Sequence, residues 1–236
     1  MSIEITWDKS VSKRYPSLAL GYCTIRGVNV KERSDEMDKF IKGKEEQLAN
    51  SYSLEELKNV RIIRLYRDFF WRLGIDPTKK RPASEALLRR ILRGKGLPRI
   101  SNVVDAYNLA SAESLITLSA YDLDKIEPPL MVRFAKQGEE VILIGMRKRV
   151  LSGNEIVLSD RRGILCVLVH GDVERTKVTK DTRNVLIVAY GAPGIDDSLL
   201  IHAIKLATTY IVKFAGGVAT QPKIVRGSDE RISADK

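Results

Sequence analysis

Apolar and polar residues alternate over residues 3–7, the period of a short strand. Residues 17–30 are rich in β-formers and contain Gly21 and Gly27, so they predict strand, turn, strand with bulges at the glycines. From residue 35 the spacing turns helical, with Met37, Phe40 and Ile41 on one face and a solvated, charge-dense side over residues 42–49. Ser53 and Glu56 have capping-box spacing, which predicts a helix over 54–73 that stops at Gly74. Its apolar side is Val60, Ile63, Leu65, Phe69 and Phe70, with Tyr66 and Trp71 assigned to helix packing.

A proline-bounded loop over 76–82 precedes a helix that Ser84 can cap and Gly94 can end. A further helix covers 102–115, and a last one covers 198–214, apolar on several sides. Pro128 and Pro129 mark a change to short β-rich runs at 130–134, 140–144, 156–158, 164–169 and 185–190. Gly138, Gly145, Gly153 and Gly163 punctuate them. The pattern predicts an α+β fold, a curved and mostly antiparallel β-sheet with helices packed around it. One domain over 1–236 is expected: an α/β extension over 1–75, a core over 76–217 and a polar tail over 218–236, frayed from about 221.

Composition changes the picture in two respects. The chain has 236 residues, 44% of them hydrophobic, enough for a substantial core. No run of about 18 uncharged apolar residues and no signal-peptide pattern occurs, so no membrane span and a cytoplasmic location are expected. Cys23 and Cys166 stand far apart in apolar runs and read as reduced core residues. The net charge of +10 favours a polyanionic partner. Eight Lys and Arg residues against one acid, Glu85, lie between residues 79 and 99. Lys79, Lys80, Arg81, Arg89, Arg90, Arg93 and Lys95 are the candidate RNA contacts of that stretch, with a solvated amphipathic helix as the plain alternative.

Catalytic motifs are sparse. There is no P-loop and no metal-ligand spacing, so neither a metal nor another cofactor is implied. His202 falls inside the last helix and reads as structural. His170 precedes Gly171-Asp172 at the end of a β-run, where a turn can present His170 and Asp172 to a cleft. Asn102, Asp105 and Asn108 repeat at a spacing of three, which places them along one side of a helix. Buried amides and carboxylates need partners, so this stripe either pins neighbouring backbone or lines a pocket.

A family resemblance rests on ordered motifs. The run Leu97-Pro98-Arg99-Ile100-Ser101-Asn102-Val103-Val104-Asp105 is followed by Tyr107-Asn108 and by Tyr121-Asp122-Leu123-Asp124-Lys125-Ile126. Val132-Arg133, Gly138-Glu139, Val178-Thr179 and Thr182-Arg183 come after, in order. Over residues 81–192 the chain resembles the B3/B4 module of the phenylalanyl-tRNA synthetase beta subunit. The rest of the synthetase is not in these 236 residues, so the chain looks like a freestanding B3/B4 protein.

The resemblance implies a tRNA-binding protein that hydrolyses mischarged aminoacyl-tRNA esters, since that module edits tyrosine misattached to tRNA. It implies tRNA or aminoacyl-tRNA as partner, with a monomer favoured and no ligase activity. An aminoacyl ester is already activated, so a site that orients water and binds the carbonyl oxygen needs no nucleophilic side chain. Asn102, Asp105 and Asn108 would shape the pocket floor, and Ser119, Arg133 and His170 would contact the ester or the terminal adenosine. Asn108 falls where the bacterial editing site has an asparagine, and Tyr107 where it has a threonine. Ser119 falls where that site has a histidine, and Val188 where it has the glutamate that recognises the tyrosine hydroxyl. A valine cannot hydrogen-bond a phenol, so tyrosine specificity is not expected. A non-catalytic tRNA-binding module and a pocket protein for a small ligand are the alternatives.

Overall fold

The computed structural model describes residues 3–228. The fold is α+β with mostly antiparallel pairing, as the hydrophobic pattern predicts. The predicted single sheet is two. The first contains β1 (Ile5–Trp7), β4 (Leu130–Phe134), β7 (Ile156–Asp160), β8 (Gly163–Val167) and β9 (Gly171–Asp172), in that spatial order. The second orders β11 (Val218–Ala219), β2 (Ala19–Arg26), β10 (Asn184–Gly191) and β3 (Thr117–Asp122), with β12 (Lys223–Arg226) also on β2. A separate ribbon pairs β5 (Glu140–Leu143) with β6 (Arg147–Val150). Strands β1 and β4 pair in parallel, the one exception among the described strand pairs.

Within residues 17–30 a single strand forms, β2 over Ala19–Arg26, instead of strand, turn, strand. Gly21 is not a bulge. A Cβ there would meet Ile204 Cδ1 at 2.7 Å, so its bare backbone lets α6 (Asp197–Ala215) lie directly on the sheet. Gly191 on the neighbouring strand serves the same close approach, since a Cβ there would meet Leu200 at 3.1 Å. Helix α6 is long and apolar enough to cross a membrane by length and composition alone. Its Leu200, Ala203, Ile204, Ala207 and Ile211 are buried against β2, β10 and α5 (Asn102–Ser114), which accounts for its apolar character.

Three helical boundaries differ from the pattern. Ser53 and Glu56 do pair, Glu56 N–H donating to Ser53 Oγ at 3.4 Å and Ser53 Oγ to Glu56 Oε2 at 2.8 Å, but they do not form the reciprocal capping box, and a 3-10 turn, Glu56–Asn59, follows with Glu55 at its cap. The α-helix, α3 (Arg61–Arg72), restarts after Val60, whose extended backbone breaks the run. Ser84 does not cap α4 (Ala83–Leu92); it lies inside the first turn, buried, with Pro82 at the cap. Trp71, expected to pack, is 56% exposed, whereas Tyr66 is buried. The predicted tail is partly sheet, because backbone pairing to the open edge of β2 does not depend on apolar side chains. Residues 229–236 of that tail lie outside the described residues.

One large hydrophobic cluster joins both sides of position 75, with Leu20, Tyr22 and Ile25 beside Leu109, Val185 and Ile204. A smaller cluster of Val141, Leu143, Leu151, Val157, Val167 and Val173 seals the β5–β6 ribbon against the first sheet. Cys23 and Cys166 are free and buried, and burial pushes the Cys23 thiol up to about 12.

Candidate binding pocket between the two sheets

Strand periodicity decides what faces the space between the sheets. In β3 and β10, Ser119 pairs with Val188 and Tyr121 with Leu186, so these side chains share one face. Gly21 and its partner Ala189 take the other face, against α6. A pocket of about 280 Å³ opens on the first face. Leu20, Tyr190 and Ser119 contribute from the second sheet, and Cys166, His170 and Asp172 from the end of the first. Phe69 and Phe70 of α3, Lys80 and Arg81 of the connecting loop, and Tyr107 and Asn108 of α5 complete it.

A largely buried polar network forms the floor. The Tyr121 hydroxyl donates to Asp172 Oδ1 at 2.6 Å and lies 2.6 Å from the Tyr190 hydroxyl. Ser119 and Cys166 lie beside Asp172 and act to lower its pKa. Burial raises the Asp172 pKa above the ordinary carboxylate value, against the lowering effect of those groups. The Tyr66 hydroxyl donates to Tyr190 O at 2.5 Å and accepts from Thr117 N at 3.0 Å, which fixes α3 to both strands at the rim.

The mouth carries cations. Lys80 Nζ contacts His170 Nδ1. Burial is the main cause that holds the His170 pKa down at about 4, followed by the charges of Lys80 and Arg149. The imidazole is therefore neutral at pH 7. With Nδ1 accepting from Lys80, the ring proton sits on Nε2, so His170 offers a donor and not a base. Lys80 is held down at about 8 by burial first and then by Arg149 and Arg147. Asn108 lines the wall and makes no side-chain hydrogen bond among the described residues.

Of the residues singled out in the sequence, Tyr107, Asn108, Ser119, His170 and Asp172 come together in this pocket. Asn102 and Asp105 do not. Asn102 Oδ1 accepts from Lys31 N at 3.0 Å, and its Nδ2 donates to Asn29 O and Phe214 O at 3.0 Å each. Asp105 accepts from Ile100 N at 3.0 Å and lies 3.6 Å from Arg33 Nε. The reason is helical geometry: a step of three falls about 60° short of a turn, so Asn108 points about 120° away from Asn102. Arg133 is also elsewhere, paired with Glu139 at 2.7 Å and bonded to Ser159 at 3.1 Å. Val188 shares the sheet face of Ser119 but is fully buried and does not line the pocket.

The basic stretch divides too. Lys80 and Arg81 reach the pocket, and Lys79, Arg90, Arg93 and Lys95 are exposed elsewhere. Arg89 is not free for phosphate. It pairs at 2.6 Å with Glu85, which is 0% exposed and also holds Arg67 at 2.5 Å. Sequence reading missed Tyr66, Tyr121 and Tyr190 as pocket and floor residues. Only the alternation in β3 and β10 pointed to the last two. His202 is exposed on α6, outside any core role.

This architecture defines a class: an α+β module whose cavity lies between two sheets, with a buried polar floor and a cationic mouth. Within that class the chain belongs to the B3/4 domain family, whose model matches residues 65–216. Among curated relatives it is 30% identical over 168 residues to the phenylalanine–tRNA ligase beta subunit of Xanthomonas euvesicatoria, covering 61% of this chain and 21% of that one. It is 28% identical over 153 residues to that of Haemophilus ducreyi, covering 55% and 19%. It is 32% identical over 149 residues to that of Tropheryma whipplei, covering 63% and 15%. The chain thus spans about one fifth of the length of the first two of these relatives. An N-terminal fragment of the phenylalanyl-tRNA synthetase beta subunit from Pyrococcus horikoshii superposes with a TM-score of 0.49 at 17% identity, over 93% of this chain and 50% of that fragment.

Proposed function

We propose that this chain acts on tRNA, and that it hydrolyses the ester of mischarged aminoacyl-tRNA. The carrying observation is the convergence of Asn108, Ser119 and His170 on one open pocket, with Lys80 and Arg81 at its mouth. The family relationship to phenylalanine–tRNA ligase beta subunits supports a tRNA substrate. In this reading the aminoacyl side chain enters between Phe69, Phe70 and Leu20, above the tyrosine floor. The Asn108 amide and the His170 Nε2–H donate to the ester carbonyl as negative charge develops on its oxygen, with the Lys80 cation beside them. Water supplies the nucleophile, and the ester's own activation removes the need for an attacking side chain.

A second reading, a tRNA-binding module without catalysis, is favoured by one observation. Ser119 is only 6% exposed and sits beside Asp172 in the floor, which limits the access of its hydroxyl to water or substrate. The two readings separate in one experiment. A panel of tRNAs, each carrying a wrong amino acid, is incubated with the protein, and ester loss is followed over time. Deacylation of at least one member above a heat-inactivated sample supports the hydrolase. Binding without any ester loss across the panel leaves the module.

A further inference from the structure

The β5–β6 hairpin was not among the candidate RNA contacts, and its position is informative. Ile144 N donates to Asp172 O at 2.9 Å, Leu143 bridges Val173, and Gly145 N donates to Glu174 at 3.1 Å. The hairpin turn, residues 144–146, is thus fastened to the strand that ends the pocket wall. Pairing puts Val141 opposite Arg149 and Leu143 opposite Arg147, so both arginines share the face of the two buried apolar residues. That face turns towards the protein body. Arg147 and Arg149 accordingly act electrostatically on Lys80, and Arg149 on His170.

No carboxylate forms an ion pair with Lys80, Arg147, Lys148 or Arg149 among the described residues. The one acid whose charge reaches His170 is Glu155, and it is occupied by Ser152 N at 2.9 Å and Ser152 Oγ at 3.0 Å. Like charges crowded without counter-ions raise the energy of the free protein, and a bound anion relieves it. Beneath Arg149 a second cavity of about 220 Å³ runs between Ile75, Ser152, Asn154 and Glu155 and shares His170 with the main pocket. The hairpin also exposes apolar surface at its turn, where Met146 is 67% accessible, and on the face opposite the two arginines, where Val150 is 63% accessible.

We propose that Arg147 and Arg149 of the β5–β6 hairpin, with Lys80, form a phosphodiester-binding arm that receives the single-stranded 3′ end of RNA. The arm threads that end past the second cavity towards the main pocket. This inference rests on the tRNA reading above for its ligand but not on hydrolysis.

The test uses uncharged tRNA, intact or lacking its single-stranded 3′ nucleotides, with AMP as a free-nucleotide probe. Binding is measured against salt for the full chain and for R147A/R149A, whose sites are exposed and whose folding is checked by circular dichroism. The intact tRNA should bind more tightly than the trimmed one. The double variant should lose about tenfold affinity for the intact tRNA and lower the salt slope by about 1.4, as expected for two lost contacts to a single strand. The advantage of intact over trimmed tRNA should also disappear. Equal affinity and slope for the double variant would overturn the arm, and AMP binding as tight as intact tRNA would overturn RNA as the source of the phosphate. Arm-dependent binding without ester hydrolysis would leave this inference standing and remove the hydrolase. Hydrolysis without arm-dependent binding would do the reverse.

Discussion

Tyr121 donates its hydroxyl to Asp172 Oδ1 at 2.6 Å, and this one bond ties the second sheet to the end of the first beneath the pocket. Tyr121→Phe leaves Asp172 short of a donor and the Tyr190 hydroxyl short of a partner, so it should cost about 1–3 kcal/mol in chemical denaturation. The Asp172 pKa is raised by burial above its ordinary 3.8. For a raised carboxyl, the stabilising contribution is present below the unfolded value and is lost as pH rises through the folded one. Asp172→Asn cannot ionise, so its stability should lack that decline when unfolding free energy is plotted against pH.

Glu85 is an opposite case. Burial alone would raise its pKa, but the hydrogen bonds and charges of Arg67 and Arg89 hold it below 4.5. Stability from a depressed carboxyl is present above the unfolded value and lost as pH falls through the folded one. The wild type should therefore weaken on acidification below about pH 4, and Glu85→Gln should show less of this fall. Glu85→Ala strands two arginines against α4 and should cost about 3 kcal/mol at neutral pH. Urea denaturation at pH 7 reads this directly.

The two ends of the polar stripe should separate by assay. Asn102→Ala removes bonds to Asn29, Lys31, Val103 and Phe214 and should lower stability by about 2–3 kcal/mol. Below its melting temperature, tRNA affinity and any deacylation by the folded protein should be retained. Asn108→Ala should leave the melting temperature nearly unchanged and reduce deacylation by about tenfold or more. Equal behaviour of the two variants in both assays would count against the assignment of Asn108 to the site.

If the proposed tRNA binding holds, Lys80 should give it a pH dependence. Its pKa of about 8 reflects burial, then Arg149 and Arg147, with His170 in direct contact. A phosphate brought beside it favours the charged form and raises that pKa, so binding takes up a proton between the free and bound values. Affinity should therefore fall as pH rises through about 8 at constant salt. Lys80→Arg stays charged across that range and should flatten the curve. Filter binding of uncharged tRNA from pH 6.5 to 9.5 checks both.

The sequence by itself determined which segments became helices and strands wherever a single period ran unbroken, as in α2 (Asp35–Ser51), α5, α6 and β10. It also carried the family, because ordered motifs survive as local pattern. Short strands with no apolar surplus were hidden: β6 reads Arg-Lys-Arg-Val, and only pairing with β5 makes it a strand. The site was legible residue by residue but not as a place. Asn102 and Asn108 point about 120° apart around the helix, a drift that a linear spacing of three conceals. Tertiary structure decided which polar groups face a cavity and which are used up. Glu85 consumes Arg89, Glu139 consumes Arg133, and packing across the sheets brings Lys80, ninety residues away in sequence, to His170. Burial and pairing depend on neighbours distant along the chain, so no local pattern encodes them.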